Sequence, residues 1–274
     1  MSKSRSKIIK NRILVTTISN ACYQKVFDQC YDTVLIDEAG QAKEVECLVP
    51  VTNGCQRIII IGDDKQLSPL IFSKSLEGLN FNKSILQKFL ETNMSYVVLT
   101  DQFRMHPAIC EFPNEFFYNG QLKNGVTALD RTDKRTEEIF GNTTSPMIFQ
   151  DCRSGESIHE SGVSYRNLGQ IKHVQKYVEQ LIQADVDQSE IGIISPYEGQ
   201  KLSMVNALEK IYPEVEISNI DSFQGREKNY IIISTVRSNK FCEIGFLDDG
   251  KRMNVALTRA KFGLIIIGNF SKWH

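Results

Sequence analysis

Two carboxylates stand side by side at Asp37-Glu38, directly after the apolar run Val34-Leu35-Ile36 and before Ala39-Gly40. Adjacent acids repel each other unless a cation or a reaction sits between them. One chemistry that uses both is phosphate-ester hydrolysis, in which the first acid holds Mg2+ partly through water and the second positions the attacking water. The same pair could open the following helix, where acids favour the positive N-terminus. The stretch alone leaves both readings open. Other polar clusters recur along the chain: Gly62-Asp63-Asp64-Lys65-Gln66-Leu67-Ser68-Pro69, Gln102-Phe103-Arg104-Met105-His106-Pro107, Asp221 to Glu227, and Arg252 to Lys261.

The elements that must position these clusters alternate in type. Short apolar runs predict strands at Ile13–Thr17, Thr33–Ile36, Arg57–Ile61, Val97–Leu99, Met147–Phe149, Ile191–Ile194, Val215–Ile220, Tyr230–Val236 and Phe262–Gly268. The run before Asp37 reads as a parallel strand buried on both faces. Helical spacing joins Ala42, Val45, Leu48 and Val49 before Pro50 stops the element, and a further helix spans Ser84 to Leu90. Another is capped by Asn167 and carries Ile171, Val174, Val178, Leu181 and Ile182 on one face. Leu202, Val205, Leu208 and Ile211 mark the next, and a last helix over Lys251 to Lys261 carries Arg252 and Arg259. Such alternation predicts an α/β fold of parallel sheets covered by helices. The polar clusters then fall at carboxyl ends of strands, which line one crevice in open parallel sheets. Residues 120 to 165, apart from the run at Met147, read as long surface connections.

A length of 274 residues predicts about two domains. The net charge of -1 excludes a polycation, so any nucleic-acid surface must be a local patch. The basic start, Lys3, Arg5, Lys7, Lys10 and Arg12, reads as a solvated tail. Seven scattered cysteines with no Cys-x-x-Cys pair argue for a reducing compartment and against a disulfide scaffold or zinc module. No apolar run reaches membrane-spanning length, and the start lacks the apolar core of a signal peptide. The expectation is a soluble intracellular monomer, cytoplasmic with the nucleus as alternative.

Taken together, the clusters resemble the ordered motifs of superfamily 1 helicases of the up-frameshift and senataxin type, above all the up-frameshift RNA helicases of nonsense-mediated mRNA decay. Asp37-Glu38-Ala39-Gly40-Gln41 resembles motif II, Gly62 to Pro69 motif III, and Gln102 to Pro107 motif IV. Asp221 to Glu227 resembles motif V, and Arg252 to Lys261 motif VI. Asn124-Gly-Val-Thr-Ala, Ser164-Tyr165, Ile194 to Gln200 and Ile244-Gly-Phe-Leu add to the likeness, which covers Val34 to Asn269. Several boxes in order with similar connections are far more specific than any one of them. The resemblance implies two RecA-like lobes, residues 1–98 holding the C-terminal part of the first and 99–274 the second, with ATP bound between them. It implies Mg2+ on Asp37, water activation by Glu38, γ-phosphate sensing by Gln66, and arginine fingers at Arg104 and Arg259. A guanidinium suits phosphoryl charge because its planar fork is always ionised. Phe103, where the family often has Tyr, would stack on adenine; Gly225 and Glu227 would also border the nucleotide, Glu227 near the ribose. Thr16, Thr17 and Ser19, and Ser195, Pro196 and Tyr197, are candidate contacts to single-stranded RNA (or DNA); each group could instead simply start a helix. RNA-decay factors are the implied protein partners.

One departure stands out. The family's Gly-x-x-x-x-Gly-Lys-Ser/Thr loop precedes motif II, and here the residues before Asp37 contain no glycine. The family's adenine-contacting glutamine is missing too. The expectation is an incomplete first lobe, either a piece of an ATP-driven RNA helicase or an inactive remnant that binds RNA or protein. A two-metal nuclease using Asp37, Glu38, Asp63 and Asp64 leaves the paired arginines without a task. Phosphoryl transfer depends on positioning, and a misplacement of ~1 Å costs on the order of a hundredfold. Polypeptide 1–274, with saturating RNA and Mg-ATP, is therefore expected to turn over far below helicase rates. Helicase-level turnover that vanishes with Glu38→Gln would refute this.

Overall fold

The computed structural model describes residues 12–23, 26, 31–52, 54–71, 81–92, 94–141 and 145–272. The basic stretch Lys3 to Lys10 lies outside the described residues. The chain divides into two compact units, Met1–Val97 and Val98–His274. Among the described residues no helix is long and apolar enough to cross a membrane.

Unit 1 holds α1 (Ile18–Ala21), β1 (Thr33–Ile36), α2 (Glu44–Val51), β2 (Arg57–Ile60) and α3 (Ile85–Leu90). β1 and β2 pair in parallel, with Ile36 opposite Ile60. Ile36, Ala39, Ala42, Cys47 and Ile85 form a small core. Glu44 and Glu46 occupy the first turn of α2, where acids suit the dipole, and Lys88 of α3 pairs with Glu44. Several expectations fail here. Ile13–Thr17 is not a strand; Thr17 instead caps α1, its Oγ1 accepting from the Asn20 amide at 3.2 Å. β1 is covered on one side only: Ile36 is buried while Leu35 is exposed. A strand is buried twice only when layers cover both faces, and the described sheet of this unit has two strands. α2 turns Cys47 inward and leaves Val45 and Leu48 outward. Pro50 lies inside its last turn, where only one backbone bond is forfeited before the helix ends at Val51.

Unit 2 contains β3 (Asp101–Gln102), α4 (Pro107–Tyr118), β4 (Lys123–Asn124), α5 (Glu137–Phe140), β5 (Met147–Asp151), β6 (Ser157–Ile158), β7 (Tyr165–Arg166), α6 (Leu168–Gln183), β8 (Ile191–Ser195), α7 (Glu198–Leu208), β9 (Glu216–Asn219), α8 (Ile220–Phe223), β10 (Lys228–Ser234), α9 (Gly250–Leu257) and β11 (Ala260–Gly268). Its main sheet runs β5-β11-β10-β8-β9 and every pair is parallel. This is the expected α/β class. Alternate residues of β10 and β11 face opposite sides, and both sides are covered, so the strands read as unbroken runs of isoleucine. On one side Ile193, Ile232, Ile265 and Ile267 meet Val174, Val178 and Leu181 of α6 and Met204 and Leu208 of α7. Asn167 caps α6 through its side chain, as its sequence position predicts. α7 buries Gln200, Met204 and Leu208 and leaves Leu202 exposed.

Val97–Leu99 forms no strand: residues 94–100 carry no ladder, Val97 and Leu99 are exposed, and pairing begins at Asp101 against Lys123. The last helix ends at Leu257, so Arg259 sits in the turn before β11 rather than on the helix. Thr258 closes that helix with its amide and hydroxyl on Asn254 O.

Unit 2 is expected to be the more persistent half. In native-state hydrogen exchange, amides of β8, β10 and β11 should be the slowest in the chain. Ile232→Ala, at a fully buried position, should cost about 3 kcal/mol in urea unfolding of this unit. A loss below ~1 kcal/mol would contradict the packing.

Candidate functional site

In unit 1, β1 hands the chain to Asp37 and Glu38, both exposed. Glu38 takes the left-handed conformation, with φ of 53°, which costs a non-glycine residue of order 1–3 kcal/mol and clusters at functional sites. Asp37 Oδ1 accepts from the Glu38 amide at 3.0 Å and pins the turn. The Ala39 amide then reaches Ile61 O at 2.9 Å, tying this turn to the one after β2. The two turns approach so closely that a Cβ on Gly40 would lie 2.7 Å from Asp63 O, and one on Gly62 2.8 Å from Gly40 N. Glycine is required at both for that contact. In the second turn Gln66 Nε2 donates to Asp63 Oδ2 at 2.9 Å, and Lys65 pairs with Asp64 at 2.8 Å. Gln66 is therefore held by Asp63.

No group of three His, Cys, Asp or Glu side chains among the described residues could hold a metal. Mg2+ takes one or two carboxylates plus water and substrate phosphates. Asp37 is the residue that would hold it.

In unit 2 the candidate residues gather at the amino-terminal edge of the main sheet, not the carboxyl edge expected from sequence. Glu227 precedes β10 and Arg259 precedes β11, and the Lys228 amide donates to Arg259 O at 3.1 Å. The His106 amide donates to Lys261 O at 2.9 Å, which brings in the segment after β3. Glu227 is then gripped twice: Lys261 Nζ stands 2.6 Å from Oε1 and Arg104 Nε 2.6 Å from Oε2. These two cations, Lys261 foremost, hold its carboxyl at about 2. Both oxygens face cations here rather than a ribose hydroxyl. Arg259 is 2% exposed; its guanidinium donates to Val255 O at 2.9 Å and Thr258 Oγ1 at 2.8 Å. Phe103 is 62% exposed, a ring with an open face. Gly225 takes φ of 73° with open space where a Cβ would stand.

The nucleic-acid candidates divide. Thr16 and Ser19 are exposed, as is Thr17 beside its cap bond. Ser195 and Tyr197, at the carboxyl end of β8, are 0% and 3% exposed. The Tyr197 hydroxyl accepts from Arg237 Nη1 and the Phe246 amide, each at 3.3 Å. Their side chains are packed inside unit 2, and Pro196 is half-buried.

Gln102, Lys261 and Arg131 were not among the candidates. Gln102 Oε1 accepts from the amides of Arg104 and Met105 at 3.0 and 2.8 Å. Lys261 and Gln102 sit inside boxes already singled out, so their partners alone were hidden. Arg131 has no such signal.

The Glu227 pair gives a pH expectation. Its folded pKa lies below the ordinary value near 4.3, so its contribution is complete above that pH and is lost as pH falls through about 2. A carboxyl NMR titration should place Glu227 near 2, rising toward the ordinary range in Lys261→Met. An ordinary midpoint in the wild type would mean the two bonds do not persist in solution.

Known proteins resemble this chain along most of its length. The AAA domain family matches residues 81–271, and a second AAA domain family matches residues 2–74. The Regulator of nonsense transcripts 1 homolog of Neurospora crassa is 42% identical over 246 residues, which is 87% of this chain and 22% of that protein. ATP-dependent helicase NAM7 of Saccharomyces cerevisiae is 37% identical over 274 residues, 97% of this chain and 28% of that protein. The chain thus spans about a fifth to three tenths of the length of these curated relatives. A solved structure of Arterivirus nonstructural protein 10 (helicase) is 17% identical, covers 87% of this chain and 39% of that one, and has a TM-score of 0.45. With that family matched over more than half of its length, the chain belongs to the AAA domain family.

Proposed function

We propose that this chain carries the hydrolysing parts of an ATP-dependent RNA helicase acting in nonsense-mediated mRNA decay or related RNA surveillance. The observation that carries the reading is one chain holding an acidic turn after a parallel strand and a cation-rich sheet edge, with Arg104 and Lys261 on Glu227 and Arg259 just before β11. Asp37 would hold Mg2+, and Glu38 would orient the attacking water. Mg2+, when bound, neutralises phosphate charge. Gln66, beside Asp63, senses the γ-phosphate. Phe103 offers its exposed face to adenine. Arg104 exchanges Glu227 for a phosphoryl oxygen, and Arg259 adds a second guanidinium. The released Glu227 keeps Lys261 and can then accept from a ribose hydroxyl, with Gly225 beside it.

The second ligand is single-stranded RNA, with DNA as the alternative. Thr16, Thr17 and Ser19 offer hydroxyls to its backbone; at Ser195-Pro196-Tyr197 the burial of the side chains leaves main-chain groups for that task. The setting is the cytoplasm, with RNA-decay factors as protein partners. Backbone-dominated grip is salt-sensitive.

The test is ATP hydrolysis by the purified chain with and without RNA, beside RNA titrations at two salt concentrations. Slow turnover that RNA stimulates is expected, with a loss on the order of a thousandfold, hence below detection, in Arg104→Ala and Arg259→Ala. RNA affinity should fall steeply as salt rises. RNA binding without any turnover would favour a non-catalytic binding module. Phosphodiester cleavage that survives both arginine substitutions would overturn the reading.

A further inference from the structure

We infer that Arg131 is the positioning residue that sets Phe103 and Arg104, an inference that rests on the nucleotide roles proposed for those two. Residues 103–106, between β3 and α4, lie outside helix and strand. Backbone bonds hold His106 at its far end, and side chains hold the groups of Phe103, Arg104 and Met105 that the segment's lack of a ladder leaves over. Arg131 comes from a short 3-10 turn, Leu129–Arg131, well downstream. Its Nη2 donates to Phe103 O at 2.5 Å and its Nε to Arg104 O at 2.8 Å. Nη1 reaches Asp130 O at 3.2 Å. One planar fork thus holds the carbonyls of two successive residues, an arrangement that an ammonium cannot reproduce.

The fork is itself fixed from two sides. Beneath it lies the Phe262 ring of β11, 5.6 Å from the guanidinium carbon. Its own turn is closed by Asp130, whose Oδ2 accepts from the Thr127 amide at 2.8 Å and the Thr127 hydroxyl at 2.7 Å. On the opposite side of the segment, Gln102 Oε1 takes the amides of Arg104 and Met105. Phe103 meanwhile lies against Gly125, where an added Cβ would stand 2.2 Å from the ring. The segment is therefore clamped by carbonyl and by amide, the first clamp resting on Phe262 of the main sheet and the second on β3. Removing Arg131 frees the carbonyl side only. The ring of Phe103 and the guanidinium of Arg104 then lose a common reference while their own chemistry is intact.

The experiment titrates the full chain with a fluorescent N-methylanthraniloyl ATP and Mg2+, and follows folding by circular dichroism. Arg131→Met should weaken binding on the order of tenfold, the effect of two lost charged hydrogen bonds. Arg131→Lys, which keeps the charge but not the fork, should recover only a small part. A double-mutant cycle separates positioning from an independent role. In a Phe103→Ala or Arg104→Ala background, Arg131→Met should cost much less than in the wild type, because its effect passes through those residues. Should Arg131→Met fail to fold, Arg131→Lys and Arg131→Gln carry the same cycle. Wild-type affinity in Arg131→Met, or a full additive loss in both backgrounds, overturns the inference while the nucleotide reading stands. A wild-type chain that binds no nucleotide overturns the reading and this inference with it.

Discussion

The pairing of β10 with β11 is the constraint on which the candidate site of unit 2 depends. The two strands are parallel, so they begin at the same edge, and the Lys228–Ala260 register sets their preceding residues side by side. Glu227 and Arg259 are distant in sequence and become neighbours only through this register. The third segment follows, because the His106 amide bonds Lys261 O at the start of β11. A slip of one residue would turn every isoleucine of one strand to its opposite face. The register changes once between edge and core: Lys228 pairs with Ala260, whereas Tyr230 to Ser234 pair with Gly263 to Ile267.

The electrostatics of that edge are uneven. Arg104 and Lys261 both pair with Glu227, while Arg259 turns to the carbonyl of the preceding residue, Arg226. Arg259 is buried, with carbonyl and hydroxyl acceptors on its guanidinium, which offset the cost of its desolvation. Arg104 is only partly buried and takes a carboxylate partner. The exposed pair with Glu227 adds little stability; its consequence is the direction in which Arg104 points.

Much of the fold was legible in the sequence, because runs such as Ile231-Ile232-Ile233 and Leu264 to Ile267 leave little choice but a doubly covered parallel strand. Runs at Ile13–Thr17 and Val97–Leu99 look the same locally and form no strand. A strand exists only when another supplies its ladder, and nothing in these residues says whether a partner is there. The helical face of α7 was misread for a related reason: Gln200 looks polar but is buried, accepting from the Asn167 amide at 2.7 Å and donating to Ser234 Oγ at 2.8 Å. The family motifs named the charged residues, yet not their edge of the sheet. That follows from which strands start together, a property of topology and not of spacing. Arg131 was invisible for the simplest reason: its partners are backbone carbonyls, which every residue has.

The turn after β1 shows why a costly conformation persists. In a strand, successive side chains point to opposite faces, so adjacent acids that simply continued β1 would diverge and could not serve one centre. The left-handed φ of Glu38 breaks that alternation, and the Asp37 carboxylate stabilises the break by accepting the Glu38 amide. The glycines at positions 40 and 62 let the turn after β2 press against it, so the strained backbone is held on both sides. Relief of the strain, by a residue that prefers this conformation, would leave the turn intact and remove the second acid. Glycine at position 38 would take this φ without a side-chain penalty, whereas the glutamate present keeps a second carboxylate beside Asp37.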